Sequence, residues 1–217
     1  MRMRKKKWAL PELNACEWFA EDVDEYKGKW KEQFEKEQPL HIELGCGKGV
    51  STAAMVSDQR NINFVAIDLI SDVLGSARRN IAAAFGEDEV KNVIIGIKDC
   101  AKLTDTFSKE DNVKRIYISF PNPWDERLKH RKRRLTHPRQ LEQYKTFLAD
   151  DGEIWFKTDN DTLFFDSLEY FRSCGFTFRF VTFDLHSSGF APNYLSEHEK
   201  MFTSQGIKTK FVIAKLK

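Results

Sequence analysis

The chain contains little cysteine and no long apolar run. Its four cysteines (Cys16, Cys46, Cys100 and Cys174) are scattered, without the C-x-x-C spacing typical of zinc sites. We therefore expect neither a bound metal nor a disulfide framework, and this cysteine usage is typical of the reducing cytoplasm. The apolar runs are too short for a transmembrane helix, and none of signal-peptide length follows the basic N-terminus. The sequence thus predicts a cytoplasmic protein without membrane attachment.

A strong excess of charge of one sign is also missing, since the formal net charge of the 217 residues is only +2. Basic residues are nevertheless concentrated at positions 2–7 and 127–139. The first of these blocks is either a solvated tail or a flexible arm that contacts phosphates. Residues 12–38 are expected to contain one or two short helices. We therefore predict a basic arm with short helices over residues 1–38 and one domain over residues 39–217.

From residue 39 onward, strand-like apolar segments alternate with amphipathic helix-like segments. Strands are predicted at 40–44, 63–68, 93–99, 113–120, 153–159, 176–185 and 208–216, and helices at about 49–59, 71–85, 138–150 and 161–173. This alternation predicts a mainly parallel sheet with helices on both faces. We expect a single-domain α/β fold of the Rossmann-like type, with seven strands of which the last is antiparallel.

The segment Glu43–Gly49 joins the first predicted strand to the first predicted helix. Its glycines Gly45, Gly47 and Gly49 have the spacing G-x-G-x-G, which differs from the G-x-G-x-x-G spacing of dinucleotide-binding folds. Glycine permits positive φ and lets a ligand approach the backbone closely. A carboxylate beside this turn suits a ligand with a cationic end. S-adenosylmethionine is such a ligand, because it carries both an ammonium and a sulfonium group.

Acidic residues also end the next two predicted strands, at Asp68 and Asp99. Ligands of open α/β sheets bind at the carboxyl ends of the strands. In that arrangement Asp68 would accept hydrogen bonds from ribose hydroxyls, Asp99 from an adenine amino group, and Glu43 would anchor an amino-acid end. Turn chemistry is the simpler explanation for each acid alone. Three acids beside a glycine turn favour a class I S-adenosylmethionine-dependent methyltransferase.

A second motif, F-P-N-P-W at Phe120–Trp124, follows the fourth predicted strand. Its two prolines restrict the backbone of Asn122 to extended conformations. Trp124 is either a core aromatic residue or part of a site. The following residues, 125–136, are rich in lysine and arginine. A solvated face is the simplest explanation for such a run, but its place at the cofactor end of the sheet favours contacts with phosphates.

These motifs resemble those of the bacterial tRNA (guanine-N7-)-methyltransferases. The matching segments are E-L-G-C-G-K-G at 43–49, F-P-N-P-W at 120–124, R-K-R-R-L-T at 131–136, F-K-T-D-N at 156–160 and S-E-H-E-K-M-F at 196–202. The resemblance implies methyl transfer from S-adenosylmethionine to N7 of a guanine in the variable loop of tRNA, usually position 46. It also implies that Asn122 lies between the cofactor and the guanine.

The resemblance further implies sets of residues for catalysis, cofactor binding and substrate binding. The catalytic candidates are Asn122, Asp159 and Glu199. The cofactor-binding candidates are Glu43, Gly45, Gly47, Gly49, Asp68, Asp99 and Asn122. The substrate-binding candidates are Glu126, Arg127, Lys129, Arg133, Arg134, Asp159, Ser196, Glu197, His198 and Glu199. From residue type alone, Asp159 would be a helix cap and Glu199 a surface residue.

The chain departs from the commoner family pattern at two places. Asn122 stands where an aspartate is usual, and Asp125-Glu126 stand where a basic residue is usual. Guanine N7 already has an in-plane lone pair, so we expect direct in-line transfer without a general base, and a neutral Asn122 should be tolerated. A methyltransferase acting on another RNA or a small molecule, and a catalytically silent RNA-binding protein, are the alternatives. Both a monomer and a homodimer are compatible with the sequence.

Overall fold

The computed structural model describes residues 5–216, which form an eight-stranded sheet with helices on both faces. The strands are β1 (Phe19–Ala20), β2 (Leu40–Leu44), β3 (Asn63–Asp68), β4 (Val93–Ile97), β5 (Val113–Ser119), β6 (Leu148–Thr158), β7 (Phe176–Thr182) and β8 (Lys210–Leu216). The α-helices are α1 (Ala9–Asn14), α2 (Val50–Asp58), α3 (Ser71–Phe85), α4 (Pro138–Lys145), α5 (Asp161–Ser173) and α6 (Glu197–Ser204). Short 3-10 helices lie at Val23–Tyr26, Trp30–Gln33, Cys100–Asp105, Lys109–Asp111 and Leu128–Arg133.

The strand order in the sheet is β1-β4-β3-β2-β5-β6-β8-β7. All neighbouring pairs from β1 to β6 are parallel, and β8 is antiparallel to both β6 and β7. The prediction of a mainly parallel sheet with an antiparallel last strand is therefore confirmed. The order of the strands reverses between β2 and β5, and open α/β sheets bind ligands at the carboxyl ends of the strands beside such a reversal.

The predicted count of seven strands was one too low, because it missed β1. Phe19 and Ala20 pair with Ile95 and Gly96 of β4 at the edge of the sheet. A strand of two residues is too short to show an alternating hydrophobic pattern, so only the tertiary pairing reveals it.

The helices expected within residues 12–38 also differ from those observed. The N-terminal α-helix begins earlier, at Ala9, and the later helical segments are 3-10 turns at Val23–Tyr26 and Trp30–Gln33. Trp30 is fully buried, and its indole Nε1 donates to the carbonyl oxygen of Thr106 at 2.9 Å. Tertiary contacts rather than helix propensity therefore determine the conformation of this segment.

The beginning of the described chain lies against α3. Lys6 Nζ donates to Ser76 Oγ at 2.5 Å, and the Arg79 guanidinium lies 3.5 Å from the centre of the Trp8 ring. Residues 6–8 are therefore packed against α3 and do not form a solvated tail. The remainder of the predicted basic arm, residues 1–4, lies outside the described residues. The division of the chain at residue 38 stays a prediction.

Two apolar layers cover the faces of the sheet. Val65 and Ile67 of β3 belong to the layer formed with α4 and α5, whereas Phe64 and Ala66 belong to the layer formed with α2 and α3. Successive strand residues thus alternate between the two layers, as expected for a strand covered on both faces. No helix within residues 5–216 is both long and apolar enough to cross a lipid bilayer.

Gly49 allows α2 and α3 to approach each other closely. Its φ is +67°, and a Cβ atom placed on it would lie 2.6 Å from the Cβ atom of Ala77 in α3. Gly47 has a similar φ of +58°, but a Cβ atom there would meet no atom within 4 Å. The two glycines thus share a backbone constraint and differ in packing.

We therefore expect Gly49→Ala to lower the free energy of unfolding by about 2–5 kcal/mol, because it adds a steric clash to the cost of a positive φ. The matched variant Gly47→Ala carries only the backbone cost of about 1–2 kcal/mol. Urea denaturation of both variants measures the difference. Equal losses would contradict the packing role of Gly49.

Candidate active site

A cleft opens at the carboxyl ends of β2 and β5, between the glycine turn and the start of α6. Its walls include Glu43, the turn Gly45–Gly49, Ser119 at the end of β5, Phe120 directly after it, and Ser196–His198. The structure thus brings three of the sequence motifs together around one cleft.

The glycine turn is fastened to the end of β3. The backbone N–H groups of Gly45 and Cys46 donate to the carbonyl oxygen of Ile67 at 2.9 and 3.1 Å. Gly47 N donates to Asp68 Oδ2 at 2.9 Å, and Ile70 N donates to Asp68 Oδ1 at 3.0 Å. Asp68 is therefore held beside the turn by both of its carboxylate oxygens.

Glu43 places a buried carboxylate at the end of β2. The residue is only 3% exposed, and its carboxylate accepts hydrogen bonds from Ser51 Oγ at 3.3 Å and Thr52 Oγ1 at 2.5 Å. Burial raises the pKa of Glu43 to about 6, although both hydroxyl hydrogen bonds act in the opposite direction. The negative charge of this side chain is thus incompletely stabilised by the protein itself.

Asp99 lies after β4 at the same edge of the sheet. It is exposed, and its Oδ1 accepts from Ala101 N at 2.9 Å, so it also caps the 3-10 helix Cys100–Asp105.

Leu69 and Ile70, directly after Asp68, are 63% and 48% exposed. The sequence analysis missed these two apolar residues. An apolar pair directly after a strand-end acid would have been the signal.

The F-P-N-P-W segment forms a turn with unusual backbone angles. Phe120 and Trp124 have φ values of 51° and 50°, which are uncommon for bulky residues and often occur at functional sites. Asn122 is exposed, and its Oδ1 accepts from Trp124 N at 2.9 Å. This bond leaves the Nδ2 group of Asn122 available as a donor. Asn122 does not line the cleft itself but a neighbouring hollow, together with Pro123, Trp124 and His130.

The first turn of α6 forms the wall opposite the glycine turn. Ser196 caps the helix by accepting from Glu199 N at 3.1 Å. Glu197 forms an ion pair with Lys48 of the glycine turn at 2.8 Å, and His198 is exposed. The predicted substrate-binding residues Ser196, Glu197 and His198 therefore lie at the cleft.

Glu199 is placed differently from the prediction that it binds the guanine. Its side chain is fully buried and forms an ion pair with Lys157 Nζ at 2.7 Å. The other carboxylate oxygen accepts from Asn193 Nδ2 at 2.8 Å. In this arrangement Glu199 cannot contact a base in the cleft. It is also not the surface residue that its type alone suggests.

Lys157 was missed by the sequence analysis, although it lies inside the F-K-T-D-N motif. Besides Glu199, its Nζ donates to Asn193 Oδ1 at 3.0 Å and to the carbonyl oxygen of Tyr194 at 2.8 Å. A single buried lysine thus attaches the segment before α6 to β6. A lysine between an aromatic residue and a strand-end T-D-N was the available signal.

Asp159 lies half-buried at the end of β6, where its carbonyl oxygen accepts from Lys210 Nζ at 2.8 Å. It does not cap α5, because that cap is the neighbouring Asn160, whose Oδ1 accepts from Leu163 N at 2.7 Å. The alternative explanation of Asp159 as a helix cap is therefore wrong.

The basic segment contains residues of two kinds. Arg127, Lys129, Lys132 and Arg133 are exposed, as is Glu126, and the Arg133 guanidinium lies 5.1 Å from the centre of the Trp124 ring. Arg134, predicted to bind substrate, has instead a fully buried side chain that donates to Pro123 O and Asp166 Oδ2, both at 2.6 Å. Arg134 is therefore unavailable to a phosphate.

Comparison with known proteins supports the assignment of a family. The model of the family described as "Putative methyltransferase" matches residues 37–211. A tRNA (guanine-N(7)-)-methyltransferase of Clostridium beijerinckii is 54% identical over 216 residues, and one of Clostridium botulinum (strain Eklund 17B / Type B) is 53% identical over 216 residues. Each alignment covers 99% of this chain and 98% of the relative. The chain belongs to the tRNA (guanine-N(7)-)-methyltransferase family.

Solved structures of other methyltransferases share the fold. An antibiotic-related methyltransferase superposes with a TM-score of 0.60 at 15% identity and covers 99% of this chain and 96% of its own. An aminoglycoside resistance methyltransferase superposes with a TM-score of 0.58 at 11% identity, with coverage of 91% and 95%. These similarities confirm the class I methyltransferase fold of this chain. Within residues 5–216 no cluster of three or more His, Cys, Asp or Glu side chains could hold a metal ion.

Because burial raises the pKa of Glu43 from 4.5 to about 6, its charged form destabilises the folded protein by roughly 2 kcal/mol above pH 6. This part of the free energy of unfolding is fully present below pH 4.5, where the carboxyl is protonated. It is lost as the pH rises through about 6 and the carboxyl ionises in the folded protein. We therefore expect Glu43→Gln to unfold at higher urea than the wild type at pH 7.5, with little difference at pH 4.5. Glu17→Gln, at an exposed position, is the control. A wild type that is the more stable protein at pH 7.5 would contradict this account.

Proposed function

We propose that the protein transfers a methyl group from S-adenosylmethionine to N7 of a guanine in the variable loop of tRNA, at position 46. The observation that carries this proposal is the common location of the family motifs. The glycine turn, the end of β5 and the first turn of α6 line one cleft. The activity for which the 53–54% identical relatives are named agrees with it.

The residues of the cleft fit a cofactor with a positively charged end. The buried carboxylate of Glu43 has a raised pKa, and an ammonium group nearby would stabilise its charged form. Asp68 and Asp99 lie at the ends of the next two strands and suit a ribose and an adenine amino group. The exposed Leu69 and Ile70 between them offer an apolar surface to the plane of the base.

The chemistry that S-adenosylmethionine supplies is a methyl group on a positively charged sulfur, which the in-plane lone pair of guanine N7 attacks directly. No side chain has to remove a proton from the base. The contribution of the protein is therefore to hold the guanine in line with the methyl group and to stabilise the charge that moves onto the purine.

Asn122 and Asp159 are the residues assigned to the guanine. Because Asn122 Oδ1 is occupied by Trp124 N, its Nδ2 can donate to guanine O6, next to the attacked N7. The Asp159 carboxylate can accept from the N1–H and the exocyclic amine of guanine. Adenine offers no hydrogen at N1 and would leave this carboxylate unpaired, so the arrangement rejects adenine.

The exposed cations of the basic segment are assigned to the phosphates of tRNA. Arg127, Lys129, Lys132 and Arg133 lie exposed after the F-P-N-P-W turn. Contacts of this kind supply affinity that depends on salt and not on sequence. Glu126 is exposed among them and would repel a phosphate, so we leave it out of this set, together with the buried Arg134. A tRNA substrate places the protein in the cytoplasm.

The first test is methyl transfer from labelled S-adenosylmethionine to unmodified tRNA transcripts, followed by chemical cleavage at N7-methylguanosine. We expect cleavage at one variable-loop guanosine, and none when that base is changed. Asp159→Asn should lower kcat/KM about 100-fold. Asn122→Asp loses the donor to guanine O6 but should stay active, because its carboxylate can still accept from Trp124 N and can stabilise the positive charge that moves onto the purine. Binding of both tRNA and cofactor without transfer would favour the silent RNA-binding protein.

We expect Lys129→Ala and Arg133→Ala each to weaken tRNA binding and to reduce the slope of log K against log salt concentration by about one unit. The matched control is Lys91→Ala, an exposed lysine before β4 at the opposite edge of the sheet. Filter binding at several salt concentrations measures the slopes. Equal slopes for all three variants would contradict the assignment of the basic segment.

A further inference from the structure

Asp125 links the turn after β5 to the turn after β6. It is half-buried. One carboxylate oxygen, Oδ1, pairs with the Arg134 guanidinium, and the other, Oδ2, accepts from Asn160 Nδ2 at 2.9 Å. Both oxygens of Asp125 are therefore used inside the protein.

The buried Arg134 guanidinium fixes the position of Asp125. Besides pairing with Asp125, it donates to the carbonyl oxygen of Pro123 and to Asp166 of α5. A buried arginine is stable only when its charge is compensated and its donors are satisfied. Asp125 and Asp166 provide this compensation, so the carboxylate of Asp125 has little freedom to move.

Asn160 has equally little freedom. Its Oδ1 accepts from Leu163 N at 2.7 Å and thereby caps α5. This bond fixes which end of the amide is the oxygen, and the Nδ2 group consequently faces Asp125. The contact between Asp125 and Asn160 thus joins two residues that are each anchored separately.

We propose that Asp125 and Asn160 are positioning residues, which hold Asn122 and Asp159 in fixed relative positions for methyl transfer. Asp125 follows Asn122 by three residues, and Asn160 directly follows Asp159. The inference rests on the proposed function, in which Asn122 and Asp159 hold the guanine. A displacement of about 1 Å between such groups can cost on the order of 100-fold in rate.

The amide–carboxylate pair permits an exchange experiment. In Asp125→Asn, the new amide has one acceptor end for two donors, Asn160 Nδ2 and the Arg134 guanidinium, so its NH₂ group must face one of them. Asn160 cannot relieve this by rotating its amide, because it would lose the helix cap. In Asn160→Asp, the cap remains, but two carboxylates face each other. In the double variant, the new amide at 125 donates to the new carboxylate at 160. It can still accept from Arg134, and the carboxylate at 160 can still cap α5.

We expect each single variant to lower kcat on tRNA on the order of 10- to 100-fold, and the double variant to return to within about threefold of the wild type. The dissociation constant for S-adenosylmethionine should change little in all three, because neither Asp125 nor Asn160, nor the Asn122 that they position, lines the cleft beside the glycine turn. Unchanged kcat in the single variants, or a double variant as slow as the slower single one, would overturn the proposal.

Asp166→Asn is the matched control, since Asp166 also pairs with Arg134 but is not the partner of Asn160. It should lower the melting temperature while leaving kcat closer to that of the wild type. If Asp166→Asn lowers kcat as much as Asp125→Asn does, Asp125 acts only through general stability and the proposal is wrong.

Hydrogen–deuterium exchange tests the contact independently of activity. The amide of Trp124 is bonded to Asn122 and that of Leu163 to Asn160. Peptides containing Trp124 should exchange faster in both single variants and at the wild-type rate in the double variant. Wild-type exchange in both single variants would overturn the proposed contact. A wild type that exchanges as expected but transfers no methyl group to tRNA would instead refute the proposed function.

Discussion

Glu43 lies at the centre of the sheet, with its carboxylate almost entirely removed from water. Two hydroxyl groups from the first turn of α2 donate to it, which requires α2 to begin directly beside the end of β2. The positive φ of Gly49 and its close approach to Ala77 make this start possible. The glycine turn, the placement of α2 on α3 and the wall of the cleft all depend on accommodating this one acid.

Two buried glutamates near the cleft differ in how their charges are balanced. Glu199 is paired with Lys157 inside the protein, so its charge serves to hold the segment before α6. Glu43 accepts hydrogen bonds only from hydroxyl groups, which do not offset its burial, so burial raises the pKa of its carboxyl. Burial of the charged Glu43 carboxylate is unfavourable unless a cation binds beside it. Burial of the Glu43 carboxylate lowers the stability of the folded protein. We propose that a cationic cofactor offsets this loss when it binds beside the carboxylate.

Much of the fold could be predicted from sequence, because β2 to β6 and the helices α2 to α5 carry long apolar patterns. β1 and the 3-10 turns around Trp30 could not, since they are short and are stabilised by contacts with distant residues such as Ile95 and Thr106. The glycine turn and the acids at 43, 68 and 99 could be predicted to lie close together, because each follows or ends a predicted strand. Parallel strands necessarily bring their carboxyl ends to one edge of the sheet.

The sequence by itself determined the fold class, the place of the cleft and the family, because these depend on periodic patterns and on motifs of adjacent residues. Only the tertiary structure decided which charged residues of those motifs face a ligand and which are buried and paired with other residues of the protein. Arg133 and Arg134 are neighbours in one basic run, yet the first is exposed and the second is fully buried between Asp125 and Asp166. The physical reason is that burial and pairing of a charge depend on residues distant in the chain, which a local motif does not contain.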